Sequence, residues 1–209
     1  MLKFYNDNFD CLGIERKQIY DYAAVAFCVF HDIIYQVQTQ DIGKSALITS
    51  KDGFEGNEVE SLKLYDKFIN ESEIIQDTED SQQLHTFVKE CIRDTIKHSP
   101  HLEGTDDWAI LNRFLLDWDL SILSSDYDIE ESKGDEIILN KSYCQYTKDI
   151  RIEYGHYSKE AYLEGRHKVM TNFLAKPAIF FTSAIKEKFE EKARDNISKE
   201  LVQLEAKNI

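Results

Sequence analysis

The dipeptide His31-Asp32 closes the apolar run Tyr22-Ala-Ala-Val-Ala-Phe-Cys-Val-Phe30 and sets two metal-ligating side chains against a greasy helix. An imidazole beside a carboxylate offers one neutral nitrogen and one hard anionic oxygen. That mixture suits Mn, Fe, Ni, Co or Zn better than Ca, which prefers oxygen alone. The same dipeptide also serves as a helix-end histidine beside a solvated aspartate, so the rest of the chain must decide. Three further segments carry polar or metal-capable residues on apolar helical faces: Asn57-Glu58-Val-Glu-Ser61, Thr95-Ile-Lys-His98 and Leu116-Asp-Trp-Asp-Leu-Ser-Ile-Leu123. Asp119 continues the stripe Trp108, Leu111 or Asn112, Leu115, whereas Asp117 is expected to point away from it. A carboxylate in such a stripe needs a partner, and a cation shared with His31 and Asp32 would supply one.

The elements that must position these residues follow from period and punctuation. Helices are expected over Glu15 to Tyr35, Asn57 to Glu71 (buried stripe Leu62, Tyr65, Phe68, Ile69) and Ser81 to Lys97, the last stopping before Ser99-Pro100. A fourth opens near Thr105 or Asp106 as cap and carries Asp117 and Asp119. Others cover Lys141 to Tyr154, Ser158 to Ala175 before the break at Pro177, and Ser183 to about Ala206. Only Glu136-Ile-Ile-Leu139 has strand character. The chain is read as one all-α domain over residues 1–209, with inserts at about 36–56 and 124–146.

At 209 residues and 24.4 kDa there is room for one sizeable core, and two prolines favour long helices. Cys11, Cys28, Cys91 and Cys144 lack a Cys-x-x-Cys spacing, which argues against a disulfide framework or zinc knuckle. A net charge of −14 argues against sequence-independent binding to duplex nucleic acid. A small anion can still be held by a few basic side chains and a divalent ion. No stretch reads as a signal peptide or membrane span, so the expected location is cytoplasmic. His85, His101, His156 and His167 lie in polar surroundings and are read as surface residues.

Taken jointly, Phe30-His-Asp-Ile-Ile-Tyr35, Asn57-Glu58 with Ser61, Thr95 to His98 and Asp117-Trp-Asp-Leu-Ser-Ile-Leu123 resemble the HD superfamily of metal-dependent phosphohydrolases. They are closest to a bacterial-type subfamily described only as predicted HD phosphohydrolases. Arg151-Ile-Glu-Tyr154, Glu164-Gly-Arg166, Asn172-Phe-Leu174, Ile179-Phe180 and Glu191-Lys-Ala-Arg-Asp-Asn196 extend the likeness over about residues 20 to 204. The resemblance implies an HD-like helical bundle, with a divalent ion (Mn, Mg, Fe, Ni, Co or Zn) on His31, Asp32 and Asp119. It further implies His98 as a ligand of a second ion or a contact to phosphate, and catalytic roles for Asp32 and Glu58. Glu58 would act as base or orient water, although a first-turn glutamate also suits a helix dipole. Arg166 and Arg194, with Arg151 as a further cation, and Tyr154 would meet a small phosphorylated substrate, such as a nucleotide; each arginine has an equally ordinary use in a salt bridge, as Arg194 with Glu190 or Glu191. Members of this group carry another ligand histidine upstream of the His-Asp pair, and no histidine precedes His31 here. Two other readings therefore stand beside the hydrolase: a degenerate HD module that binds metal or nucleotide without turnover, and a helical interaction domain whose acidic loops engage a basic partner. An apolar face on the C-terminal helices would permit a homodimer.

Overall fold

The structure is a computed structural model that describes residues 2–34, 56–72, 78–127 and 142–206. Every regular element among the described residues is helical, so the chain is all-α. The run Glu136 to Leu139 and most of both expected inserts lie outside them. No helix among the described residues is long and apolar enough to cross a membrane.

The described residues form two compact units, 2–34 with 56–72 and 78–119, and 120–127 with 142–206. In the first, α1 (Leu2–Asn8) and a 3₁₀ turn (Phe9–Leu12) precede α2 (Gln18–Phe30), α3 (Asn57–Glu71), α4 (Glu79–Thr95) and α5 (Asp107–Asp119). Helix α2 buries Tyr20, Ala23, Ala24, Phe27 and Phe30, a stripe at steps of three and four. It packs on α4, which also receives α3 and α5. The core beneath is aromatic: Tyr5 lies 5.3 Å from Phe9, 5.8 Å from Phe114 and 6.0 Å from Trp118, ring centre to ring centre.

Caps set the helix starts. The Thr78 hydroxyl accepts the Ser81 N–H at 3.2 Å, and Asp106 accepts the N–H groups of Trp108 and Ala109 at 3.0 and 3.1 Å. Helix α3 has the expected bounds. Helix α2 is shorter than expected, because Lys17 is extended (φ −113°, ψ 145°) and delays its start to Gln18. It also ends at Phe30, so His31 and Asp32 lie just beyond it, although the His31 N–H still reaches the Phe27 carbonyl at 2.9 Å. Asp117, expected to point away from the apolar stripe, is fully buried. Buried residues occupy Ala109, Leu111, Asn112 and all of Phe114 to Trp118, so this stretch of α5 has no open face.

The second unit holds a 3₁₀ turn (Leu120–Ser124), α6 (Tyr143–Glu153), α7 (Lys159–Ala175) and α8 (Ser183–Glu205). Ser142 and Ser158 cap α6 and α7 through the N–H groups of Gln145 and Ala161. Helix α8 packs on α7 and on the 3₁₀ turn, where the buried Asn196 amide donates to the carbonyls of Leu123 and Ser125, both at 2.9 Å.

Candidate metal centre

The last turn of α2 fixes the first donor. The His31 ring stacks on Phe27 at 4.9 Å between centres, and its Nδ1 lies 3.0 Å from the Phe27 carbonyl oxygen. A carbonyl can only accept, so Nδ1 carries the proton in the neutral ring and the Nε2 lone pair faces outward from that bond. Nε2 lies 3.4 Å from Asp32 Oδ2 and 3.5 Å from Asp119 Oδ1. The donor atoms of His31, Asp32 and Asp119 all fall within 4.8 Å of one another. Metal bonds of about 2.1 Å at tetrahedral or octahedral angles set donor-to-donor edges of roughly 3.0–3.5 Å. Two of the three edges already match, so the residues fit a divalent ion with little adjustment.

Asp119, the last residue of α5, serves two imidazoles with its two oxygens. Oδ1 faces His31, while Oδ2 lies 3.0 Å from His98 Nε2. Burial opposes ionisation of Asp119, yet the hydrogen bonds to His31 and His98 hold its carboxyl well below the usual range. Burial likewise disfavours a charged His31, but the Asp119 bond and the charges of Asp119 and Asp32 prevail and raise its pKa. The Asp32 carboxyl is pushed up, first by desolvation and then by Asp119 and Glu58, against the pull of His31 and His98. The two carboxylates thus favour the protonated imidazole at His31. A cation would displace that proton.

The neighbouring elements carry the other expected groups. Glu58 sits half-buried in the first turn of α3, and its charge bears on Asp32. The same turn is tied to the chain beyond Asp32 by the Ile34 N–H, which donates to the buried Ser61 hydroxyl at 3.1 Å. His98 lies past the end of α4 with a left-handed backbone, φ 45°. The first unit thus brings His31, Asp32, Asp119, His98 and Glu58 into one neighbourhood.

Arg166, Arg194 and Tyr154 belong to the second unit, where each has defined company. Arg166 grips Glu200 with Nε and one terminal nitrogen at 2.7 and 3.2 Å, and lies over the Tyr146 ring. Arg194 uses all three nitrogens internally, on Glu190 at 2.7 Å and on the carbonyls of Leu174 and Lys176 at 2.9 and 2.7 Å. Tyr154, 39% exposed, stacks beside His156, and its carbonyl accepts from Arg151.

Two of the histidines read as surface groups are more engaged than that. His85 Nδ1 meets the buried Tyr65 hydroxyl at 2.9 Å, and His101 Nδ1 meets Asp94 at 2.6 Å. Sequence reading missed Asp94 and Asn112. Their only signal was a polar residue on the buried face of each helix. Comparison of the chain with protein-family models, with curated proteins and with solved structures gives no match.

Proposed function

We propose that the protein is a metal-dependent phosphohydrolase of the HD type, acting on a nucleotide or another small phosphorylated metabolite. The observation that carries this reading is the convergence of His31 and Asp32, just past the end of α2, with Asp119 at the end of α5, nearly ninety positions away, and with a second imidazole, His98, on the same aspartate. One nitrogen and two carboxylate oxygens suit Mn, Fe, Co, Ni or Zn, and Mg where water completes the shell. When bound, such an ion lowers the pKa of its water and neutralises charge on a phosphoryl group.

The chain's own residues supply the rest. The Phe27 carbonyl orients His31, so that Nε2 is the donor. Glu58, beside Asp32, is placed to take a proton from the attacking water or to orient it. His98 would contact a phosphate oxygen or a second ion. Arg166 and Arg194 both hold partners inside the second unit, which their expected role against phosphate would have to displace.

The decisive experiment is calorimetric titration of Mn²⁺ into chelator-stripped protein beside Asp32→Ala, followed by phosphate release from a panel of nucleotides and sugar phosphates. Binding that Asp32→Ala removes, with turnover that depends on the ion, is the expected result. No uptake by the wild type would overturn the metal reading. A second reading, binding without turnover, is favoured by a donor set of three among the described residues. Ion-dependent thermal stabilisation without product would identify it.

A further inference from the structure

We infer that Asp94 is a positioning residue for His98: its buried carboxylate, braced by Asn112, fixes the turn at 96–102 so that the His98 imidazole stays on Asp119. This rests on the reading of His98 and Asp119 as parts of the proposed site. Asp94 stands next to the end of α4 and is 8% exposed. Its backbone carbonyl accepts the N–H groups of Lys97 and Ser99, both at 3.3 Å. Its Oδ2 accepts the His101 backbone N–H at 3.1 Å, meets His101 Nδ1 at 2.6 Å and accepts from the Asn112 amide at 2.9 Å.

Asn112 reaches across from α5 with no exposed surface. Its amide nitrogen also touches Cys91 Sγ at 3.3 Å, and its oxygen accepts the Leu102 N–H at 3.3 Å. The amides of 101 and 102 are thereby tied to two side chains on two helices, and those of 97 and 99 to the Asp94 backbone carbonyl. His98 sits inside this frame with φ 45°, where among the described residues it is the one non-glycine with positive φ.

A left-handed position beyond a helix ordinarily favours glycine, which adopts it without a β-carbon clash. A turn serving only to end α4 would be better built with glycine. Positive φ is uncommon for any residue with a β-carbon, though less so for histidine than for most; its use here points to a need for the imidazole itself, and such conformations persist where the surroundings over-determine them. The frame is also registered to the acceptor. Asn112 and Asp119 share α5 seven residues apart, roughly 10 Å along the axis, so the helix that braces Asp94 also presents the carboxylate that His98 meets.

The test uses Asp94→Asn in the full chain, which keeps the shape and removes the charge. In metal-free protein, long-range ¹H–¹⁵N spectra should show the His98 ring signals moving. The His101 amide, whose acceptor is the carboxylate itself, should exchange at least tenfold faster while those of Phe27 and Leu115 keep their protection. In a Mn²⁺ titration the variant should bind about tenfold or more weakly, and adding it to His98→Gln should bring no further loss. Unmoved His98 signals, or the same loss of affinity with and without His98, would overturn the inference. If Asp94→Asn does not fold, His101→Ala leaves the backbone N–H bond intact and should move the same signals in the same direction by less; no movement there overturns it as well. Should the wild type take up no Mn²⁺, the metal reading fails while the imidazole spectra still decide the role of Asp94.

Discussion

Replacing Glu200 by glutamine tests how the second unit is held together and what Arg166 is for. Glu200 is 1% exposed and the Arg166 side chain 9%, so the ion pair is desolvated on both sides. The carboxylate accepts two guanidinium bonds, at 2.7 and 3.2 Å, and one from the buried Tyr143 hydroxyl at 2.5 Å. Glutamine keeps one acceptor and turns an N–H₂ donor toward a group that can only donate. Breaking a buried pair by removing one partner costs about 3–5 kcal/mol, because the remaining charge stays buried. At roughly 2–4 °C per kcal/mol for a chain of this size, the melting temperature should fall by about 6–20 °C. Arg166→Met/Glu200→Met, which removes both charges, should lose far less than the two single changes summed. Urea unfolding followed by circular dichroism measures each term. A loss below about 1 kcal/mol for Glu200→Gln would refute the argument, showing that water reaches the pair.

Proton competition gives a second prediction. A raised His31 pKa means that its proton opposes metal uptake even somewhat above pH 6.5, and the stabilised Asp119 anion adds no competing proton near neutrality. The Mn²⁺ dissociation constant should therefore rise by up to about tenfold for each pH unit below the His31 pKa. Calorimetry at several pH values checks this, and a flat profile would exclude His31 as the donor. Phe114→Ala should cost about 3–5 kcal/mol in a denaturant titration, because the ring is fully buried against Tyr5 and Phe9. Ser158→Ala should cost about 1 kcal/mol through the lost N-cap of α7, and Ser158→Asp should largely restore it.

The elements legible in the sequence were those with both a period and a punctuation mark. Helix α3 has its expected bounds, α7 begins after its serine cap and ends before Pro177, and α5 takes Asp106 as its cap. The short N-terminal helix was not foreseen, although Tyr5, Phe9 and Leu12 fall at steps of four and three. Seven residues hold too few turns for periodicity to stand out, and its burial comes from Phe114 and Trp118 far along the chain. The end of α2 was overextended because Ile33 and Ile34 continue the apolar pattern past the point where the helix stops. Within the site, His31, Asp32 and Asp119 were visible as types that sit awkwardly on apolar faces. Asp94 and Asn112 look like ordinary helix residues until α4 and α5 are packed, and Asp117 carries no local mark of complete burial. Such roles are properties of contacts between helices and have no expression in spacing alone.

The bond from His31 Nδ1 to the Phe27 carbonyl bears on how durable the ligand is to change elsewhere. Many ligand imidazoles depend on a distant carboxylate or loop to choose which ring nitrogen carries the proton, and so lose their tautomer when that partner drifts. Here the choice is made one turn back on the same helix, by a backbone atom that every residue type at position 27 would supply. Substitutions outside the last turn of α2 leave unaltered which nitrogen the ring offers as long as it keeps that bond. The nitrogen left without a proton is thus set within a five-residue segment, and grafting Phe27 to His31 onto the end of another helix would carry the same nitrogen into a new setting.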